Sequence, residues 1–425
     1  MPLEKEHIVN GIKYYSILDS TSHRFCLALY VRAGVLFENE SENGITHMFE
    51  HIVFRNIKRK YNNKLYQLLK ENCLIFNATT YKEFVYFYIT GMPQGFDFAA
   101  EVMASVFDDI TVSGEELKAE KRRVKSEIRE DAEKTTLDYF SDCILWEGTS
   151  LNNTITGTCK TVDRISRRRL NEFKNEVLCR DNFFFYLTGN VSKDNIKLFE
   201  KTVSSLNVSE SKYLKRNAAP VPEHFGKRKF KVNVKEGTYY HVKLCFDIDN
   251  AKYSVGARDI LFSALFDGED AMFYIGLSDE DPLIYSFDSF FERYDNISVL
   301  QLDYEVSKRH LCESITRVFS IFDKLKNGDF NFENELKWRV SAFEMLRDDP
   351  EGLNWQMAYE NHILSERPVC FEKKLLGRYA GLTKNEVVKM AQEVFVAENL
   401  TLALRGSKDY VEKLDLKIPD CQMKK

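Results

Sequence analysis

Short apolar runs alternate with amphipathic stretches in the first part of the chain. Residues 7–18 hold two apolar runs on either side of Asn10 and Gly11, a pair typical of a tight turn, which predicts a β-hairpin. A nearly continuous apolar run at 25–31 predicts a strand in a covered sheet. Further elements follow from the spacing of apolar positions: helices at 44–54 and 64–71, and paired strands at 74–78 and 84–90.

A long charged helix is predicted in the middle of the first half. Ser113 is a suitable N-cap, and Glu116 three residues later completes a capping box. The helix predicted after this cap spans 117–133, and most of its many charges fit a solvated face with i,i+4 pairs. The remaining elements predicted in this half are a helix at 96–107, a strand at 183–188 and a helix at 192–204.

The order of elements predicts two similar domains. Residues 208–226 form a polar, proline-containing stretch that is typical of an interdomain linker. The second half restarts with strands and ends, like the first, with an apolar strand and a glycine. We therefore expect an α+β fold with domains at 1–207 and 227–425, each an antiparallel or mixed sheet with helices packed on it.

Composition and charge exclude several classes of protein. With 44% hydrophobic residues, 29% charged residues and a net charge of -5, the chain has the composition of a globular protein and no basic bias for nucleic acid. No apolar run approaches the ~18 residues needed to span a membrane. The nine cysteines include no C-x-x-C pair, and no signal peptide is visible at the N-terminus, so a reduced protein in the cytoplasm is expected.

The chemistry of the chain is concentrated in the helix predicted at 44–54. His47 and His51 are four residues apart and project from the same helical face, as two ligands of one zinc ion would. Glu50 borders this face and is placed to act as a general base. The order H-x-x-E-H is the inverted form of the H-E-x-x-H signature of zinc proteases. Two histidines are too few for a catalytic zinc site, which usually has three protein ligands. Candidates for the third ligand lie on the charged helix: Glu120, Glu127 and Glu130.

Residues 44–56 resemble the pitrilysin/insulinase family of zinc metallopeptidases, the inverzincins. In that family a glutamate from a later helix of the form E-x-x-x-V-x-x-E completes the site, and the segment from Glu120 to Glu127 has this form. Glu127 follows His51 by 76 positions. The resemblance implies one zinc ion per chain, a catalytic base and an orienting carboxylate, with these residues: His47, His51 and Glu127 as zinc ligands, Glu50 as the base, and Glu120 behind the ligands.

A second segment of the same family is recognisable at residues 77–80, which resemble its N-A-x-T motif. The resemblance implies that this strand pairs with extended substrate through Asn77, Ala78 and Thr79. The length of 425 residues fits the short branch of the family, which contains the subunits of mitochondrial processing peptidase and bacterial relatives. In that branch each subunit has two similar α+β domains, and two subunits close around a chamber.

The second half departs from the family pattern at one position. The branch carries a segment like R-E-x-x-G-L-x-Y-S, whose arginine and tyrosine bind substrate. The matching stretch here, residues 278–286, keeps the tyrosine as Tyr285 but has Ser278 where the arginine is expected. We therefore expect a homologous partner subunit that supplies the arginine and tyrosine in a heterodimer, with a homodimer as the alternative.

Together these features predict a zinc metalloendopeptidase, a hydrolase that cleaves short or unfolded peptides inside a closed chamber. Removal of leader peptides, or peptide maturation with the partner subunit, would suit such a chamber. Two alternatives from other functional classes share the fold: a catalytically silent structural subunit, and a protein that holds peptides without cutting them.

Overall fold

A computed structural model describes residues 4–131, 137–210, 229–234, 239–279, 282–364 and 378–406. The chain divides into two compact units, each assembled from three segments. The first unit contains residues 1–132, 153–217 and 345–372; the second contains residues 133–152, 218–344 and 373–425. Each unit contains one sheet with helices, so the predicted α+β class with two sheet domains is confirmed.

Neither unit is a single continuous half of the chain. The segment 133–152 belongs to the second unit, although it lies inside the domain predicted at 1–207. The segment 345–372 belongs to the first unit, although it lies inside the domain predicted at 227–425. The linker predicted at 208–226 lies outside the described residues from 211 onwards and stays a prediction.

Both halves of the described chain contain strands, as predicted. They are β1 Lys5–Val9, β2 Ile12–Leu18, β3 Phe25–Arg32, β4 Leu74–Thr80, β5 Phe84–Gly91, β6 Phe183–Gly189, β7 Lys229–Val234, β8 Tyr239–Asp249, β9 Phe287–Arg293, β10 Ile297–Ser307 and β11 Leu400–Gly406. The hairpin predicted at 7–18 is formed by β1 and β2, which turn at Asn10 and Gly11 with positive φ angles.

The helices of the described residues lie between these strands. They are α1 Ile45–Lys60, α2 Leu65–Glu71, α3 Phe96–Ala104, α4 Gly114–Asp131, α5 Leu137–Leu145, α6 Cys159–Arg164, α7 Arg167–Val177, α8 Lys193–Ser204, α9 Val255–Phe266, α10 Met272–Tyr274, α11 Leu311–Lys326, α12 Phe332–Met345, α13 Pro350–Ala358 and α14 Lys384–Val394. The capping box predicted for α4 is confirmed, since the Ser113 hydroxyl accepts from the Glu116 N–H and the Glu116 carboxylate accepts from the Ser113 N–H. None of the described helices is both long and apolar enough to cross a membrane.

The first unit has a mixed six-stranded sheet in the order β1-β2-β6-β3-β5-β4. Strands β2 and β6 pair in parallel and the other neighbours pair antiparallel, and β4 is the edge strand among the residues that the structure describes. Helix α1 packs its buried Met48, Phe49 and Ile52 into the core of this unit. Burying each of these side chains contributes about 1.5–3 kcal/mol, so the α1 backbone is firmly fixed against the sheet.

The first unit also contains helix α13 from the second half of the chain. The Asn354 side chain accepts a hydrogen bond from the Tyr30 hydroxyl and donates to the Tyr186 carbonyl, both at 3.0 Å. The Thr188 hydroxyl donates to the Pro350 carbonyl at 2.5 Å. These groups are buried, so α13 is an integral part of the first unit.

The second unit has a five-stranded sheet in the order β7-β11-β8-β10-β9. Aromatic rings join the sheet to its helices, with Phe246 of β8 edge-on to Phe322 of α11 and Phe322 stacked on Phe395. Helix α5, from the first half of the chain, packs against β11 and β8, where Leu137 and Ile144 contact Ala403. Helices α5 and α13 therefore each pack with the sheet formed mainly by the other half of the chain.

A buried carboxylate weakens the second unit at neutral pH. Asp247 of β8 is 2% exposed, and its Oδ1 has no hydrogen-bond partner in the part of the chain that the structure describes. Burial, helped by the charge of Glu292, raises the pKa of Asp247 to about 7. An unfolded aspartate has a pKa of about 3.9, so the unfolded state binds fewer protons than the folded state between these values. The folded state therefore loses stability as the pH rises from about 4 to about 7.

We expect Asp247→Asn to raise the free energy of unfolding by up to about 4 kcal/mol at pH 8, because the amide carries no charge to bury. At pH 4 the two proteins should be equally stable, since Asp247 is then protonated in the folded state. Urea unfolding at both pH values measures the difference. An equal effect at pH 4 and pH 8 would show that ionisation of Asp247 plays no part.

Candidate metal centre

A buried carboxylate fixes the start of helix α1. The Glu38 carboxylate accepts hydrogen bonds from the backbone N–H of Gly44 at 2.8 Å and of Thr46 at 2.9 Å. N–H groups at the start of a helix have no carbonyl partner within the helix. Glu38, which precedes Gly44 by six residues and Thr46 by eight, therefore caps α1 through its side chain. The sequence pattern did not single out Glu38.

Two glycines allow the chain to pass close to the start of α1. Gly44 has a φ of 91°, and a Cβ there would lie 2.6 Å from the Thr156 carbonyl oxygen. Gly157 has a φ of 73°, and a Cβ there would lie 2.3 Å from the Asn43 carbonyl oxygen. Since a side chain would clash at both positions, glycine is required where these two backbone segments meet.

The structure brings His47, His51 and Glu127 together. Glu127 Oε2 lies 3.3 Å from His51 Nε2 and 3.9 Å from His47 Nε2. One donor atom from each of the three side chains lies within 4.8 Å of the others. Helix α1 supplies both histidines and α4 supplies the glutamate, which is 32% exposed and leaves the group open on one side.

The protonation state of His47 suits a metal ligand. Burial lowers the pKa of His47 to about 3, and the neighbouring His51 adds to this effect. A neutral imidazole has a lone pair on one ring nitrogen, which is the form that binds a metal. Two imidazole nitrogens and one carboxylate oxygen are ligands that zinc accepts, and three protein ligands leave the fourth position of a catalytic site open. The residues present therefore fit a catalytic zinc ion.

Glu120 sets the orientation of His51. Its Oε1 accepts a hydrogen bond from His51 Nδ1 at 3.1 Å, so that Nε2 faces Glu127. Arg55 donates to the other oxygen, Oε2, through Nε at 3.1 Å and Nη2 at 2.9 Å. Burial raises the pKa of Glu120, but the hydrogen bonds from His51 and Arg55 outweigh it and hold the pKa below its ordinary value. Glu120 is therefore an anion behind the candidate metal ligands, and the sequence did not reveal its arginine partner.

Glu50 lies beside the metal ligands and is held by a residue of the edge strand. The Thr80 hydroxyl, at the end of β4, donates a hydrogen bond to Glu50 Oε2 at 2.5 Å. Burial raises the pKa of Glu50, which this hydrogen bond and the nearby His51 oppose. Thr80 was not among the predicted site residues, although it is the threonine of the N-A-x-T segment and could have been found from that motif.

Strand β4 is the edge strand of the sheet as far as the chain is described, and it ends beside Glu50. Asn77 is exposed on this strand, and its Oδ1 accepts a hydrogen bond from the Ala78 N–H at 2.9 Å. Ala78 and Thr79 follow, and Thr80 ends the strand at Glu50. An unpaired edge can accept an additional strand through its backbone groups. The three predicted substrate contacts therefore lie on an edge that ends at the candidate base.

Tyr285 lies in the second unit. It is 98% exposed and, together with Ser278, lines a cavity of about 1070 Å³. Arg309 lines the same cavity. The segment 278–286 has Ser278 where the family has an arginine. Arg309, from outside this segment, brings an arginine to the same cavity. This residue lies outside the family segment, so the sequence pattern gave no reason to choose it.

Known proteins match both halves of the chain. The sequence profile described as Insulinase (Peptidase family M16) matches residues 14–158, which contain the metal centre. The profile described as Peptidase M16 inactive domain matches residues 164–335. The two profiles together cover most of the chain.

Individual relatives are distant. An uncharacterized zinc protease of Bacillus subtilis, YmxG, is 26% identical over 198 residues, which make up 46% of this chain and 48% of that protein. The beta subunit of human mitochondrial-processing peptidase is 24% identical over 181 residues, 42% of this chain and 37% of that protein. The chain thus spans about half or less of the length of these curated relatives.

A solved structure shares the whole fold. A protease from Helicobacter pylori superposes with a TM-score of 0.81 at 17% identity, and the superposition covers 96% of this chain and 100% of that one. With both halves matched by profiles of one family, and with a fold shared over almost its full length, the chain belongs to the insulinase family of peptidases, family M16.

Proposed function

We propose that the protein is a zinc-dependent endopeptidase. The observation that carries this proposal is the convergence of His47, His51 and Glu127 within 4.8 Å, with the carboxylate of Glu50 beside them. A zinc ion held by the three ligands would supply the Lewis acid that polarises a peptide carbonyl. The remaining steps of hydrolysis are assigned to side chains of this protein.

Glu50 is the general base in this proposal. Its carboxylate takes a proton from the attacking water and later delivers a proton to the leaving amine. Burial raises the pKa of this carboxylate. The Thr80 hydroxyl holds Oε2 of Glu50 and so fixes the position of the proposed base.

The substrate is an extended peptide that adds a strand to the edge of β4. Its backbone would pair beside Asn77, Ala78 and Thr79, and its scissile bond would lie near Glu50, where β4 ends. Only short or unfolded chains can present a bare backbone in this way. Removal of leader peptides and peptide maturation are therefore the reactions that this edge suits.

A homologous partner subunit would complete substrate binding. Ser278 offers no charge where the family has an arginine, and one relative is itself named as a subunit. A homodimer is the alternative, which Arg309 favours because this arginine lines the same cavity as Tyr285.

We propose that the protein is cytoplasmic, because its described cysteines are all free thiols.

The second candidate is a catalytically silent protein, either a structural subunit or a protein that holds peptides. The match of residues 164–335 to an inactive-domain profile favours it, as does the limited coverage of the curated relatives. The complete set of metal-ligand types at His47, His51 and Glu127 favours the enzyme instead.

Metal analysis combined with a peptide-cleavage assay separates these functions. We expect the purified chain to bind about one zinc ion and to cut unstructured peptides, detected by mass spectrometry, because its three ligand types match a catalytic zinc site. A chelator should abolish cleavage and added zinc should restore it. A chain that binds zinc but cuts no peptide, alone or with a homologous subunit, would favour the silent alternatives. Cleavage at full rate by the chain alone would contradict the need for a partner.

A further inference from the structure

Among the described residues, the side chain of Arg55 reaches the metal centre through Glu120. It follows His51 by one helical turn on α1, so that both side chains point towards α4. Two nitrogens of its guanidinium donate to Glu120 Oε2, while Oε1 accepts from His51. Each oxygen of this carboxylate therefore has its own partner on α1, and the Glu120 side chain cannot rotate without losing one of them.

The charges around Glu120 make this contact stronger than an ordinary surface ion pair. Glu120 is 3% exposed, and removing the charged partner of a buried carboxylate is strongly unfavourable. Arg123 is a weaker second partner, since its Nη1 lies 3.7 Å from Glu120 Oε1 and its side chain is 69% exposed. Arg55 therefore provides the main fixed positive charge against Glu120.

We propose that Arg55 is a positioning residue of the metal centre. It holds the Glu120 carboxylate in the rotamer that accepts from His51 Nδ1, and this hydrogen bond turns His51 Nε2 towards Glu127. The side-chain hydrogen bonds described for Arg55 go to Glu120, so its effect on the ligands passes through that carboxylate. The inference rests on the proposed zinc site and concerns how tightly that site binds its ion.

A matched pair on the same helices serves as the control. Arg59 of α1 donates to Glu116 of α4 at 2.9 Å, one turn further along α1 than Arg55. This pair joins the same two helices by the same chemistry, but neither residue contacts a metal ligand or Glu120 in the hydrogen bonds of the site. An effect on the packing of α1 against α4 should appear in both positions, whereas an effect on His51 should appear only at Arg55.

The test is the dissociation constant for zinc, measured on the full chain by competition with a fluorescent chelator. We expect Arg55→Met to weaken zinc binding by about 10-fold, at the lower end of the 10–100-fold range for residues that orient metal ligands. Arg55→Lys should lose less, because lysine keeps the charge but not the two-pronged contact. Arg59→Met should stay within about 2-fold of the wild type, as expected for an exposed pair.

A double substitution shows whether the effect passes through Glu120. Once Glu120→Ala has removed the carboxylate, adding Arg55→Met should weaken zinc binding little further. Equal zinc affinities of Arg55→Met and Arg59→Met, or fully additive effects of the Arg55 and Glu120 substitutions, would overturn the proposal. If Arg55→Met does not fold, the comparison of Arg55→Lys with Arg59→Lys decides in the same way.

The two proposals fail in different ways. Zinc affinity is measured without substrate. A wild-type chain that binds zinc but cleaves no peptide would refute the proposed peptidase activity. The role of Arg55 could still be tested by comparing the zinc affinities of the variants. A wild-type chain that binds no zinc would refute both.

Discussion

Glu50→Gln is expected to lower kcat for peptide cleavage by about 10²–10⁴-fold, the range that general-base catalysis contributes. Glutamine has nearly the same shape as glutamate but cannot take a proton from water. The amide oxygen can still accept the hydrogen bond from Thr80, so the local structure should be preserved. Zinc content should stay at about one ion per chain, because Glu50 is not among the three ligands.

The measurement is a kinetic assay on one unstructured peptide, paired with elemental analysis of the same sample. Glu130→Gln is the control, since Glu130 is an exposed carboxylate on α4 and its substitution changes the net charge by the same amount. Undiminished cleavage by a zinc-loaded Glu50→Gln protein would rule out Glu50 as the base. A loss of zinc in this variant would instead indicate that Glu50 helps to hold the ion.

Glu127→Gln is expected to weaken zinc binding by at least about 100-fold, more than the 10–100-fold cost of removing a residue that merely orients a ligand. Glu127 Oε2 is the atom that lies near both histidine nitrogens, at 3.3 Å and 3.9 Å. A neutral amide oxygen is a poor replacement for a carboxylate, so two imidazoles would remain as effective ligands. Cleavage should fall with the zinc content.

Competition with a chelator measures the affinity, and Glu130→Gln again serves as the control. The fold should tolerate the change, because the Arg123 partner of Glu127 is largely exposed and surface ion pairs contribute about 0–1 kcal/mol. A Glu127→Gln protein with the zinc affinity of the wild type would show that the third ligand lies elsewhere. In that case both the ligand set and the role of α4 would need revision.

Local sequence patterns were sufficient for the individual elements. The turn residues Asn10 and Gly11 predicted the β1–β2 hairpin, and Ser113 with Glu116 predicted the start of α4. These signals are local, because a turn or a cap depends on residues two to four positions apart. The same reasoning identified His47 and His51 as a pair, since their spacing alone puts them on one face of α1.

Which segments belong to each unit depends on long-range contacts, and these contacts leave no local pattern in the sequence. Helix α13 joins the first unit through Asn354, and α5 joins the second through Leu137 and Ile144, each helix packing with strands from the other half of the chain. The pattern of apolar and polar positions along a helix shows which face of the helix will be buried. It does not show which sheet that face will pack against. The contiguous domains predicted from the order of elements therefore could not include this exchange.

The sequence by itself determined the candidate zinc chemistry: two histidines one turn apart, a glutamate between them, and a second helix whose glutamates resemble those of a peptidase family. Only the tertiary structure decided what supports these residues, with Glu38 at the start of α1, Thr80 on Glu50 and Arg55 on Glu120. The physical reason is distance along the chain. A ligand pair four residues apart is set by helix geometry, whereas a partner 30 or 65 residues away is set by how the helices and the sheet pack.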